Sequence, residues 1–213
     1  MEAESGRVMV MYRAGSFDAL CAAAVVRFRN PGMRFSATPV EDERRLVVSR
    51  PPEDARVVFI GVRPEVQRMR ELAAALSDAG EVIWIDNRME PAEEFFRTAT
   101  GQGDLPLNTS LEAWSPLAVL SWNLFFPRSQ QLPYVVEAAQ VVDGGGSFGM
   151  VSAEEACLFA RGAAALQIMD GLPPDTERIW GSLFGPDGRV FFRKIAETGR
   201  VLEFGRQSPP RGG

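Results

Sequence analysis

Three aspartates stand where apolar runs end. Asp18 follows Tyr12-Arg-Ala-Gly-Ser-Phe, Asp86 closes Glu81-Val-Ile-Trp-Ile, and Asp143 follows Val141-Val and precedes Gly144-Gly-Gly146. Carboxylates gathered at one place would hold Mg²⁺ or Mn²⁺, hard cations that take oxygen ligands and can polarise a phosphate ester. Helix capping is the plainer use of an aspartate at a strand-to-helix turn. No histidine occurs in the chain. That excludes Ser-His-Asp and Cys-His catalysis, imidazole metal sites and histidine pH switching. Cys21 and Cys157 lie in alanine-rich apolar stretches and read as buried thiols, Cys21 as core rather than nucleophile. Gly101-Gln-Gly103 lacks the strand and helix of a dinucleotide site, and the only lysine, Lys194, is in no P-loop.

The elements that must position these residues follow from apolar periodicity. Arg7–Tyr12 reads as a strand, Ala14-Gly15-Ser16 as a tight turn, and Phe17–Phe28 as a small-residue helix. Met33–Val40 and Leu46–Ser49 read as short strands, and Arg56–Ile60 and Glu81–Asp86 as buried ones. Pro64–Ala79 between them has helical spacing, with Gly80 as its C-terminal cap. Alternating strands and helices predict an α/β fold: a parallel sheet covered on both faces. Ligands of such sheets gather at the carboxyl ends of the strands, where Asp86 ends its strand and Asp18 lies in the turn leading from the first strand to its helix. Beyond residue 90 the pattern turns helical. Ser115-Pro116 predicts an N-cap and first-turn pair for a helix to Phe126, Pro133–Val142 a second, and the capping box Ser152-Ala-Glu-Glu155 a third running to about Asp170. Asp175 is a cap for a short helix around Trp180, Arg189–Phe204 suits a hairpin or a helix, and Thr98–Asn108 is a candidate linker. The expected organisation is one domain over 1–207, sheet-rich over about 7–97 and helical over about 110–207, with a disordered tail at 208–213.

The ordered series of these segments resembles the DHH phosphoesterases. Tyr12-Arg-Ala-Gly-Ser-Phe-Asp18-Ala-Leu-Cys-Ala-Ala-Ala is similar to the first motif, Val57-Val-Phe-Ile-Gly61-Val-Arg-Pro64 to the second, and Val82-Ile-Trp-Ile-Asp86-Asn87-Arg88 to the signature Asp-His-His. Leu117–Pro127 resembles the helix that follows, Val141-Val-Asp143 the fourth motif, and Ile195–Phe204 the helix that ends the catalytic domain, which favours helix there. The resemblance spans roughly residues 7–207 and implies a DHH-type α/β domain whose acids and histidines would hold two Mn²⁺ ions for phosphodiester hydrolysis. The departures fall on those ligands: Arg13 stands for a histidine, Gly61 for the second-motif aspartate, and Asn87 and Arg88 for the paired histidines. Asp18, Asp86 and Asp143 remain as remnants, and Arg13 and Arg88 would repel a metal. The substrate-binding DHHA1 domain that usually follows is not within these 213 residues.

The expectation is therefore a pseudoenzyme without catalytic residues or cofactor, serving as a structural or interaction subunit of a larger protein assembly. Trp114, Trp122, Phe125 and Phe126 are its candidate contacts, with core packing as their plainer role. The alternative is a residual Mn- or Mg-dependent phosphoesterase, or a nucleotide- or phosphate-binding protein gripping its ligand with Arg13 and Arg88. A formal charge of -5 and a pI near 5.0 argue against nucleic acid as a partner. The longest charge-free apolar run, 113–127, is shorter than the ~20 residues of a bilayer span. The N-terminus lacks the basic-then-apolar order of a secretory signal. These features fit a soluble intracellular protein of the cytoplasm or an organelle matrix, the mitochondrial one included, with no residue to choose among them.

Overall fold

The computed structural model describes residues 6–88, 107–112, 115–129, 131–144, 149–173 and 176–207. Two compact units divide the chain, residues 1–128 and 129–213.

The first unit is built on five parallel strands, β1 (Arg7–Arg13), β2 (Arg34–Val40), β3 (Arg56–Ile60), β4 (Glu81–Asp86) and β5 (Leu107–Leu111), in the order β2-β1-β3-β4-β5. β3 and β4 are apolar along nearly their whole length because both of their faces are covered. On one face, Val57, Phe59, Val82 and Trp84 pack with Met69 and Leu72 of helix α2 (Val66–Ala75) and with its C-cap Leu76. Phe59 and Trp84 stack there at 4.1 Å, and the Trp84 indole donates to the Val62 carbonyl at 2.8 Å. Burial of each such side chain contributes about 2 kcal/mol. Helices α1 (Phe17–Arg29) and α3 (Leu117–Phe125) pack together, and α1 touches β1 and β3. Every residue from Phe17 to Val26 is buried, which its run of alanines allows by keeping the helix thin. The Ser16 hydroxyl caps α1 by accepting from the Ala19 amide at 3.0 Å.

The α/β expectation holds, with corrections at particular elements. Leu46–Ser49 is not a strand: only Leu46 is buried, Val47 is 83% exposed, and Glu43–Arg45 forms a 3₁₀ turn capped by Asp42. Residues 107–108, assigned to a linker, instead open β5, whose Asn-Thr-Ser composition reads as loop until β4 supplies its hydrogen bonds. Pro64 and Glu65 stay outside α2, which ends at Ala75 with Leu76 as its C-cap. Gly80 is not its cap. It lies where a Cβ would come within 2.9 Å of the Asp54 backbone, and its amide donates to the Ala55 carbonyl. Trp114, Asp175, residues 98–106 and the tail 208–213 lie outside the described residues.

In the second unit, helices α4 (Tyr134–Gly144), α5 (Ala153–Ala165), α6 (Glu177–Phe184) and α7 (Gly188–Gln207) surround a core of Phe159, Phe192, Ile195 and Trp180. Ser152 and Glu155 form the expected capping box, but α5 stops at Leu166, where Gln167 turns left-handed (φ 56°) into a 3₁₀ turn over Ile168–Asp170. Segment 189–204 is helix rather than hairpin, because Phe192, Ile195, Ala196 and Gly199 fall on one buried face. Gly162 of α5 and Gly199 of α7 set the closest approach, since a Cβ on either would overlap a carbonyl oxygen of the opposite helix. Cys157 is exposed, against expectation, because it falls on the outward face of α5, whereas Cys21 is buried as expected.

Candidate functional site

A parallel sheet of order 2-1-3-4-5 has its topological switch point between β1 and β3, where neighbouring connections leave in opposite directions and open a crevice. Arg13 ends β1 there, and Gly61 directly follows β3. Gly61 adopts φ +62°, which favours glycine. A Cβ at this position would lie 2.7 Å from Leu117 Cδ1, 3.6 Å from Arg13 Cβ and 3.8 Å from Arg13 Cζ. A side chain at position 61 would thus require the end of the Leu117 side chain to shift, and its Cβ would stand in van der Waals contact with Arg13. The Arg13 guanidinium makes no hydrogen bond or ion pair with any described residue.

Asp18 sits in the first turn of α1, not in the preceding turn, and is 5% exposed. Its Oδ2 accepts from the Leu117 amide at 2.7 Å and its Oδ1 from the Ala118 amide at 2.9 Å. Those are the first amides of α3. Pro116 occupies the N-cap position expected of Ser115 and offers no side-chain cap, so Asp18 supplies it from a distant part of the chain. The negative carboxylate also meets the positive end of the helix dipole.

Asp86 is fully engaged at the end of β4. Its Oδ2 accepts from Arg63 Nε at 2.9 Å, and its Oδ1 accepts from the Asn87 amide at 2.8 Å and the Arg88 amide at 3.3 Å, with Arg88 Nε at 3.5 Å. The Arg63 and Asp86 side chains are 5% and 0% exposed, a desolvated ion pair. Arg88 reaches onward to Glu43, with Nη1 donating at 2.8 Å and Nη2 at 2.5 Å, and its Nη2 also donates to the Gly61 carbonyl at 2.6 Å. Glu43 closes the chain of contacts by accepting from the Arg63 amide at 3.0 Å. Sequence reasoning missed Arg63 and Glu43. Arg63 carried a signal, a cation directly after a buried strand, whereas Glu43 lies in a polar stretch with none. Asp143 belongs to the second unit, where it is exposed in the last turn of α4.

These residues do not fit a pair of divalent cations. A metal needs carboxylate oxygens with free lone pairs and no neighbouring positive charge. The Asp18 and Asp86 oxygens already accept protein N–H groups, and Arg13, Arg63 and Arg88 bring three guanidiniums to this edge of the sheet. Among the described residues, no three His, Cys, Asp or Glu side chains form a group that could hold a metal ion. Burial raises the Tyr12 phenol, one residue before Arg13, above its ordinary value.

Fold and site define the class: an α/β protein with a parallel 2-1-3-4-5 sheet whose carboxyl edge is closed by internal ion pairs. No protein-family model matches the chain, and no curated protein does. Among solved structures, the chain is similar to the exonuclease RecJ bound to manganese, at 13% identity and a TM-score of 0.47 over 94% of this chain and 63% of that one. It is also similar to RecJ from Thermus thermophilus in complex with Mn²⁺, at 15% identity and a TM-score of 0.43 over 95% of this chain and 36% of that one. The chain thus spans less than two thirds of the length of either. No helix among the described residues is long and apolar enough to cross a membrane.

Proposed function

We propose that this protein is a catalytically silent, DHH-like α/β protein that works through protein contacts, as a structural or interaction subunit of a larger assembly. The observation that carries this reading is the use of Asp86: the carboxylate at the position of the signature aspartate is spent on Arg63, Arg88 and two backbone amides. Gly61 and Arg13 support it together, because the position of the second-motif acid carries no side chain and an arginine stands beside it. The ordered series of motifs supports the DHH-like part. Sequence and fold signals persist where the chemistry of the metal ligands does not, the pattern expected of a scaffold.

A second reading rests on Arg13, a cation at the switch point without a described partner, where a nucleotide or phosphate ester would find it. Arg88 favours this less, since a phosphate would have to displace Glu43. One calorimetric experiment separates the readings: titration of the metal-stripped protein with Mn²⁺ and then with ATP, using Asp86→Asn and Arg13→Ala as controls. The subunit reading expects no heat from either ligand. Micromolar Mn²⁺ binding lost in Asp86→Asn would overturn it in favour of a residual enzyme, and ATP binding lost in Arg13→Ala would favour the second reading.

A further inference from the structure

Cavities open in both units, and only one of them is built around charge. No ion pair joins the lining residues of the cavity of about 610 Å³ between α6 and α7. The cavity in the first unit, about 510 Å³, has a volume that encloses a small molecule. It lies where β3, β4 and β5 begin and where α1 and α3 end, at the opposite ends of the strands from Arg13 and Asp86. Arg56 and Glu81 open neighbouring parallel strands and are register partners, so their side chains meet: Arg56 Nε donates to Glu81 Oε2 at 2.6 Å. Asn30, the C-cap residue of α1, fixes the pair. Its Oδ1 accepts from Arg56 Nη1 at 2.8 Å, and its own Nδ2 donates to the Val26 carbonyl at 2.7 Å. Two polar atoms of the pair remain: neither Arg56 Nη2 nor Glu81 Oε1 has a partner among the described residues, and the Arg29 guanidinium on the same lining has none either. Ile83, Leu124 and Phe125 give the cavity an apolar wall.

A fixed ion pair with one donor and one acceptor left over matches a ligand that carries both signs close together. The charge around the cavity agrees. Two guanidiniums stand against one carboxylate and the partly negative carboxyl ends of two helices, so neither a bare anion nor a bare cation meets a clear excess of countercharge. We infer that this cavity binds a free α-amino acid with an apolar side chain. Its carboxylate accepts from Arg56 Nη2 and from Arg29, its ammonium donates to Glu81 Oε1, and its side chain lies against Ile83, Leu124 and Phe125. The end of a peptide is the poorer ligand, because it brings only one of the two charges. This site is separate from the switch point at Arg13 and does not depend on the reading of the chain as a subunit.

The test is calorimetric titration of the full chain with L-leucine, L-methionine and L-phenylalanine. N-acetyl-L-leucine, which keeps only the carboxylate, and L-leucinamide, which keeps only the ammonium, serve as one-charge analogues. Saturable binding of at least one amino acid is expected below about 1 mM, with both analogues weaker by about tenfold or more. Arg29→Ala removes an exposed side chain outside the Arg56–Glu81 pair, so it should weaken binding by about tenfold with an unchanged melting curve. Glu81→Gln should weaken it further by removing the charge that meets the ammonium. Arg13→Ala should bind as the wild type does. No saturable binding of any of the three amino acids up to about 5 mM would overturn the inference. So would analogues that bind as tightly as the amino acid, wild-type affinity in Arg29→Ala, or loss of binding in Arg13→Ala, which would move the ligand to the switch point. None of these outcomes bears on the subunit reading, which the Mn²⁺ and ATP titrations test.

Discussion

At the carboxyl edge of the sheet, Arg63, Asp86, Arg88 and Glu43 interlock through hydrogen bonds of 2.5–3.0 Å, and a nearly dry ion pair lies at the centre. At the α5–α7 crossing in the second unit, Gly162 and Gly199 bring two backbones together, with a half-exposed Arg193–Glu155 pair at 3.9 Å as the ion pair between these helices among the described residues. Both regions are tightly packed, but by different physics. The first is closed by groups that each need their partner, so deleting one member exposes the desolvation cost of the rest. The second is closed by the absence of side chains, so adding an atom is what does harm. The contrast separates two ways of closing a surface: at the sheet edge the Asp86 oxygens already accept from protein N–H groups, whereas the helix crossing depends on backbone contact alone.

The largest effect should come from breaking the ion pair. Arg63→Met leaves the Asp86 charge buried and is expected to destabilise the protein by about 3–5 kcal/mol, read from urea unfolding. The double variant Arg63→Met/Asp86→Leu should recover most of that loss, because neither charge is then stranded. Failure of the recovery would mean that the edge is held by shape, like the helix crossing. Next in size, Gly162→Ala forces a methyl group onto the Ile195 carbonyl and should cost about 3 kcal/mol, with no rescue by a polar change nearby. A loss below ~0.5 kcal/mol in the same unfolding assay would show that α5 and α7 can separate freely. The smallest effect is a titration. Burial keeps the Tyr12 phenol neutral in the fold, so its folded pKa lies above the unfolded one. Stability is therefore unaffected below about pH 10 and falls above it, as the unfolded chain releases a proton that the folded chain retains. Tyr12→Phe should flatten the thermal stability of the protein across about pH 9–11; an unchanged alkaline slope would assign that slope to other groups.

Much of the fold was legible because it rests on local pattern. The runs at Arg7–Tyr12, Arg56–Ile60 and Glu81–Asp86 are apolar on both faces, which only a covered parallel strand needs, and each appears as a strand. The Ser152–Glu155 capping box is an arrangement of four consecutive residues, and it forms as read. β5 was not legible, since Leu107-Asn-Thr-Ser-Leu111 becomes a strand only through the edge that β4 offers. The candidate site divides the same way. Asp86 and its place at a strand end follow from sequence. Its partners do not, because Arg63 lies 23 residues away and Glu43 is joined to Arg88 across 45.

The amino-acid sequence by itself determined the alternation of strands and helices, the loss of histidine chemistry and the arginines at the motif positions, because these depend on residue type and short-range periodicity. Only the tertiary structure decided that Asp18 caps α3 ninety-nine residues away, that Leu117 and Arg13 lie against Gly61, and that a cavity opens between α6 and α7. The physical reason is range. Periodicity and capping act within a few residues, whereas the state of a buried carboxylate is set by whichever donors the fold brings within hydrogen-bonding distance of it.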